Sequence, residues 1–135
     1  MDTPAALADA VQPGALSYVV TVGADGRAHV VPAQAALADG TIVVAGIGSR
    51  TRSNLAAGSV VTVLWSPPDP GGYTLIVDGT GEIHDDTVVV RPARAVLHRP
   101  GVGPHDTHGP DGTDGTAETA GTGGCVADCV ELALS

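Results

Sequence analysis

The stretch GIGSRTRSNLAAG, which ends at Gly58, gathers residue types that bind anions. Arg50 and Arg52 closely follow Ser49, and the six cationic residues of the chain, leaving out histidine, are all arginines. Ser49 is a favourable N-cap and Gly58 a favourable stop, so the stretch predicts a short helix over residues 49–57. Both arginines then lie near the positive end of the helix dipole, where a cation costs about 0.3 to 1 kcal/mol. A bound or neighbouring negative charge is expected to offset that cost.

The chemistry that these residues favour is the binding of a phosphate group. Backbone N–H groups at a helix start, a serine hydroxyl and guanidinium groups all donate hydrogen bonds to phosphate oxygens. Gly46 and Gly48 precede the helix and allow a ligand to approach the backbone closely. The alternative is that Arg50 and Arg52 are solvated surface charges that pair with the many Asp residues. Charge alone does not separate the two interpretations.

A second group of residues has the side chains of a metal site. His105 and His108 are spaced as His-x-x-His, and Cys125 and Cys129 as Cys-x-x-x-Cys, which together make a zinc-binding set. If their segment is a strand, the two thiols lie about 13 Å apart, too far for one metal, whereas a helix brings them together. The alternative is that the histidines are polar members of a linker and the cysteines pack as small apolar residues. We assign no metal ligand from the sequence.

No other arrangement in the sequence specifies a reaction. It contains no Ser-His-Asp order, no paired-carboxylate motif and no P-loop, so the catalytic residues stay unassigned. A cofactor that carries the chemistry itself requires none of these, because the protein then supplies position and electrostatics. Trp65 could stack on the ring system of such a cofactor or belong to the core.

The composition restricts the partners of the chain. Its 135 residues carry a formal net charge of −9 and are 43% hydrophobic. This negative charge argues against nucleic acid and anionic membranes as partners, since both are bound through basic patches. The N-terminal segment lacks the basic and apolar regions of a secretory signal, and no run approaches the roughly 18 apolar residues of a membrane span. A cytoplasmic protein is therefore expected.

Strand-forming segments must position the arginine-bearing helix. Three strands, separated by turns at residues 24–26 and 38–40, come before it. Three more follow, and the first of these, residues 59–66, has a nearly continuous apolar run that predicts burial on both faces. Gly79 and Gly81 predict a bulge or a sharp bend in the next strand.

Six strands, short turns and an inserted helix predict a mainly β fold, a six-stranded antiparallel barrel with one or two short helices. Thr3 and Pro4 signal the start of the first helix. A barrel with so few aromatic residues is narrow, so a ligand would bind outside it or between two copies. The barrel domain is predicted over residues 1–99, followed by a flexible Gly-, Thr- and Asp-rich linker over residues 100–124. Residues 125–135 are predicted to dock back on the barrel.

Residues 41–67, TIVVAGIGSRTRSNLAAGSVVTVLWSP, with the preceding DGRAHVVPAQAALADG, resemble the pyridoxamine 5′-phosphate oxidase-like family of flavin-binding split barrels. The resemblance runs from about Leu16 to Arg99 and depends on the order of strands, hairpin, Gly-Ser-Arg helix and following strand. It implies a homodimer of six-stranded split barrels. It also implies that FMN, or alternatively the deazaflavin F420, lies in a groove at the dimer interface.

In that family the cofactor phosphate is held at the start of the helix that follows the third strand. The corresponding cofactor-binding positions here are Ser49 and Arg50 and, more loosely, Thr51 and Arg52, while Asn54 matches an Asn that many relatives carry. The resemblance therefore implies an FMN- or F420-dependent oxidoreductase that transfers a hydride to or from a small molecule. The alternative is a non-catalytic protein that binds a flavin, haem or another phosphate-bearing ligand.

The sequence also departs from the true oxidases of the family. Their strand Arg-x-Val-Leu-Leu-Lys aligns with residues 29–34, HVVPAQ, so that both basic ends are missing. Thr51 stands where they have a Lys after the helix Arg, and their C-terminal Arg-Leu motif has no counterpart. We therefore do not expect this chain to oxidise pyridoxamine 5′-phosphate.

Overall fold

The structure, a computed structural model, describes residues 5–100 and 128–134. Within these residues the chain forms two short helices and seven strands. The helices are α1 (Ala5–Ala10) and α2 (Ser49–Ala57). The strands are β1 (Leu16–Val22), β2 (Ala28–Ala38), β3 (Thr41–Ala45), β4 (Val60–Ser66), β5 (Thr74–His84), β6 (Thr87–Arg99) and β7 (Asp128–Leu132).

The first six strands close into an antiparallel barrel. Their order around it is β3-β2-β1-β4-β5-β6, and a ladder between β3 and β6 completes the ring. Because side chains alternate between the two faces of a strand, short β-branched residues fill the single interior. The predicted fold, a mainly β six-stranded antiparallel barrel with one or two short helices, is confirmed, and the structure has two helices. The interior is occupied by Val19, Ile42, Val44, Val61, Val63, Leu75, Val77, Val88 and Val90.

The strand β4 shows how this single interior limits burial. Val61, Val63 and Trp65 are buried, whereas Val60 on the outer face is 70% exposed. The prediction that both faces of this strand are buried is therefore wrong, because only alternate residues of a barrel strand point inward. Trp65 is 4% exposed and belongs to the hydrophobic core.

A bulge interrupts the long ladder between β5 and β6. The register shifts between Asp78, which pairs with Arg94, and Gly79, which pairs with Pro92, leaving Ala93 as an extra residue in β6. This confirms the predicted irregularity at Gly79. Before the bulge β6 pairs with β3, and after it β6 pairs with β7, so the bulge lies where β6 changes partners.

The helix α2 connects β3 to β4 and packs against β1 and β5. Its buried residues, Thr51, Asn54 and Leu55, follow the spacing of one helix face. The helix covers the predicted residues, but Gly48 rather than Ser49 is the N-cap, and no side chain caps the helix start. The proposed N-cap role of Ser49 is wrong because the extended backbone that precedes the helix ends at Gly48.

The strand β7 adds to the edge of β6, with Leu132 opposite Ala95 and Asp128 opposite Arg99. Residues 101–127 and the helix-start residues Thr3 and Pro4 lie outside the described residues, so the predicted linker and domain boundaries stay predictions. Neither helix in the described part of the chain has the length and apolar character that a membrane crossing requires.

Candidate functional site

The two arginines of α2 have different surroundings. Arg52 donates a hydrogen bond from Nη2 to the backbone oxygen of Asp85 at 2.7 Å. The same nitrogen lies 3.7 Å from Oδ1 of Asp86 in the turn between β5 and β6. A carbonyl oxygen and a carboxylate of this turn therefore offset the cost of placing Arg52 near the helix start.

Arg50 is exposed and, within residues 5–100 and 128–134, makes no ion pair. It lines a hollow of about 360 Å³ between α2 and the turn that joins β1 to β2, which we call the polar hollow. Arg50, Ser53 and Asn54 line it from the helix, at the i, i+3, i+4 spacing of one side. The turn contributes Gly23, Ala24, Asp25 and Arg27.

The start of α2 retains the features of an anion site. The backbone N–H of Arg52 donates to the oxygen of Gly48 at 3.1 Å and begins the helical ladder. The N–H groups of Ser49, Arg50 and Thr51 precede that ladder, so the helix itself offers them no acceptor. Ser49 is exposed beside them. This end of the helix can therefore donate hydrogen bonds to an anion.

The other two predicted cofactor-binding residues have buried side chains. Thr51 is 1% exposed and Asn54 is 5% exposed. The Nδ2 atom of Asn54 donates to Oγ1 of Thr21 at 3.0 Å, which joins α2 to β1. The structure thus leaves Ser49 and Arg50 open to a ligand, ties Arg52 to a turn, and uses Asn54 to hold the helix in place.

The hydrogen bond between Asn54 and Thr21 gives a prediction about stability. Replacing Asn54 by Ala removes the amide and leaves the buried Thr21 hydroxyl without this partner, so the free energy of unfolding should fall by about 1 to 3 kcal/mol. The neighbouring exposed residue provides the control, since Ser53→Ala should change it by less than about 0.5 kcal/mol. Urea denaturation measures both. Equal stability of the two variants would mean that this bond does not anchor α2.

A second and larger depression, of about 570 Å³, runs beside β2, and we call it the apolar groove. Its volume is in the range of small-molecule sites. Ala45, the last residue of β3, forms part of the wall and is four residues before Ser49, within about 14 Å along an extended chain. The groove and the helix start are therefore neighbours in the chain. Other wall residues include Leu16, Ala33, Ala35, Val43 and Trp65.

The predicted zinc set can be located only in part. Cys129 lies in β7, and its Sγ atom is 3.1 Å from Nδ1 of His98, a residue that the sequence did not group with it. His105, His108 and Cys125 lie outside the described residues. In the part of the chain that the structure describes, no three His, Cys, Asp or Glu residues are grouped so as to hold a metal ion.

Sequence reasoning missed Arg27, which lines the polar hollow with Arg50. The Asp25-Gly26 pair correctly predicted a turn just before it. The proximity of Arg27 to Arg50, however, depends on how α2 packs over that turn. Neither the sequence of the helix nor that of the turn determines this packing.

Solved structures share this fold at low sequence identity. HupZ of Group A Streptococcus matches with a TM-score of 0.55 and 17% identity, over 62% of this chain and 84% of that one. A variant of HupZ matches with a TM-score of 0.59 and 16% identity, over 69% of this chain and 97% of that one. A protein named F420 reductase matches with a TM-score of 0.52 and 18% identity, over 64% of this chain and 93% of that one. These likenesses show that this chain shares the barrel fold of those proteins, and they bear on the fold alone.

Two relatives are much closer in sequence. The uncharacterized proteins Mb0449c of Mycobacterium bovis and MT0457 of Mycobacterium tuberculosis are each 40% identical to this chain over 140 aligned residues. The alignments cover 92% of this chain and 89% of each relative. This chain belongs to the same family as these two mycobacterial proteins. No protein-family model matches it.

Proposed function

We propose that this chain binds a flavin-type cofactor, FMN or F420, and acts as an oxidoreductase on a small molecule. The observation that carries the proposal is the exposed Arg50. It shares a helix start with backbone N–H groups that have no acceptor within the helix, and this start is close in the chain to the wall of the apolar groove. A helix start that can bind an anion, a few residues along the chain from an apolar depression, suits a ligand that joins a phosphate group to a flat ring system. The split-barrel likeness to an F420 reductase adds support at the level of the fold.

The phosphate end would be held by the Ser49 hydroxyl, the Arg50 guanidinium and the N–H groups that begin α2. Arg52 and the Nδ2 group of Asn54 would act by position, since the first ties the helix to the turn between β5 and β6 and the second ties it to β1. The buried Thr51, which is 1% exposed, would not contact the phosphate. These contacts would fix where the phosphate lies relative to the barrel.

The ring system would lie in the apolar groove, against side chains such as Leu16 and Val43. A bound flavin-type ring accepts or donates a hydride, so the protein need supply only its position and surroundings. The apolar wall would keep water away from the face of the ring.

We further propose that the functional unit is a homodimer in the cytoplasm. Side chains of β1, β2 and β4 that point away from the core form an apolar surface, which we call the outer face. On it Val20 lies opposite Val30, and Tyr18 lies opposite Leu64. Val22, Val30 and Val60 are 55%, 55% and 70% exposed. Large apolar side chains exposed together on adjacent strands support an interface with a second copy.

The decisive experiment is titration of the purified protein with FMN and with F420, followed by fluorescence. Arg50→Ala should weaken binding of the cofactor by about 1.5 to 3 kcal/mol, or roughly 10- to 150-fold, because a charge-assisted hydrogen bond to phosphate is lost. Arg91→Ala is the matched control, since Arg91 lies 3.9 Å from Glu82 and lines neither depression. It should leave the affinity unchanged.

Two outcomes would count against the proposal: neither cofactor binds the unaltered protein, or Arg50→Ala binds as tightly as the control. If binding is established, turnover with the reduced cofactor separates an oxidoreductase from a protein that only carries or senses the cofactor.

A further inference from the structure

The polar hollow concentrates positive charge in a chain whose net charge is −9. Elsewhere the arginines have partners: Arg52, Arg91 and Arg94 each lie within 4 Å of a carboxylate, at 3.7, 3.9 and 3.7 Å. Arg99 lies over the ring of Tyr73, 4.6 Å from its centre. The remaining two arginines, at positions 27 and 50, both line the polar hollow, where Asp25 supplies the one carboxylate among the described lining residues. The hollow therefore has a net positive charge.

The guanidinium of Arg27 is free to reorient although its backbone is fixed. Its Nε atom is 3.8 Å from Oδ2 of Asp25, and the two side chains are 87% and 65% exposed, so this pair stabilises the chain little. The turn itself is held by hydrogen bonds from Gly23 N–H to the oxygen of Arg27 and from Gly26 N–H to the oxygen of Gly23, both 2.9 Å. A ligand could therefore replace Asp25 as the partner of Arg27 without disturbing the turn.

The wall of the hollow contains a buried acceptor. Asn54 is 5% exposed and its Nδ2 is used by Thr21, but no donor in the described part of the chain reaches its Oδ1. A Cβ at residue 23 would lie 3.1 Å from this oxygen and 3.0 Å from Oδ1 of Asp25, so Gly23 keeps the space in front of Asn54 open. Buried amide oxygens are normally hydrogen-bonded, to protein or to water, so this oxygen is open to a donor such as a hydroxyl group of a ligand.

We infer that the polar hollow binds the phosphate of a polyol phosphate together with the hydroxyl groups next to it. Arg27 and Arg50 donate to the phosphate oxygens, and Oδ1 of Asn54 accepts from a hydroxyl group of the ligand. Asp25 weakens the site by its negative charge. FMN ends in such a group and F420 contains one as a phosphodiester within its chain, so the inference rests on the proposed function for the identity of the whole ligand. It adds Arg27, Asp25 and the Oδ1 atom of Asn54 to the site.

The experiment compares FMN with riboflavin, which has the same ring and polyol but no phosphate. Arg27→Gln should weaken FMN binding by about tenfold and leave riboflavin binding unchanged. Asp25→Asn should tighten FMN binding severalfold, because Asn keeps an acceptor for the N–H of Arg27 at 3.0 Å while the repelling charge is removed. Arg91→Gln serves as the control, with both affinities unchanged. Thermal melts verify that each variant is folded.

Ribitol 5-phosphate, followed by NMR, separates failure of this inference from failure of the proposed function. If Arg27→Gln binds FMN and ribitol 5-phosphate as tightly as the unaltered chain does, the inference is overturned while cofactor binding stands. If ribitol 5-phosphate binds and Arg27→Gln weakens it, but neither FMN nor F420 binds, the hollow is established and the flavin function fails. If none of these ligands binds, both are overturned.

Discussion

Replacing Gly79 by alanine is expected to lower the free energy of unfolding by at least about 3 kcal/mol. A Cβ at this position would lie 2.2 Å from the oxygen and 2.9 Å from the carbonyl carbon of Arg91, and 3.1 Å from Cα of Pro92. All three are backbone atoms of β6, so no side-chain rotation can relieve the contact. The two strands would have to separate at the bulge, where the longest ladder of the barrel is already irregular.

The control for this substitution is Gly71→Ala in the segment between β4 and β5. A Cβ at Gly71 would meet nothing within 4 Å, so its effect should stay within about 0.5 kcal/mol. Urea denaturation, followed by the fluorescence of the buried Trp65, gives both values. Equal stability of Gly79→Ala and Gly71→Ala would show that the close approach of the strands at the bulge is not required.

Replacing Val30 by glutamate is expected to convert the proposed homodimer into monomers. In a two-fold symmetric interface the change occurs twice, and each unpaired carboxylate would lose its hydration on association. We expect the dimer dissociation constant to rise at least about 100-fold. Val30 is 55% exposed in the single chain, so the barrel itself should remain folded. Sedimentation velocity over a range of concentrations measures the effect.

Val130→Glu is the matched control for this second variant. Val130 is 43% exposed and pairs with Leu97, which in turn pairs with the buried Leu75 of β5. Residues that pair directly share a face of the sheet, so Val130 lies on the face opposite to the outer face. The Val130→Glu variant should therefore form the dimer as tightly as the unaltered chain does. Two results would exclude the outer face as the interface: a dimer that persists in Val30→Glu, or an unaltered chain that is monomeric at every concentration.

The fold could be predicted because its determinants are local. Alternating apolar residues, the Asp25-Gly26 turn and Gly79 each specify a strand, a reversal or a bulge within a few residues of themselves. Burial of β4 on both faces was predicted wrongly because an apolar run does not reveal whether one layer or two will cover a strand. The helix residues were predicted correctly, but the N-cap was not, since Gly48 and Ser49 can both end an extended segment.

The site was less predictable because it depends on contacts between distant segments. Arg50 and Arg52 are neighbours in the sequence, but residues two apart on a helix differ by about 200° in direction. Arg52 is bound by a turn 33 residues away, which the local pattern could not indicate. Arg27 and Arg50, in contrast, are far apart in the chain and line the same hollow.

The ladder between β3 and β6 that closes the barrel has only four residue pairs, against eleven between β5 and β6. It is the shortest in the ring, so thermal opening of the cylinder should begin along this seam. Ile47, just before α2, donates its N–H to the oxygen of Asp86 at 3.5 Å beside the same seam, and Arg52 reaches the same turn. A ligand that orders the first turn of α2 would therefore also stabilise the ladder between β3 and β6. Ligand binding and the resistance of the cylinder to opening should then increase together.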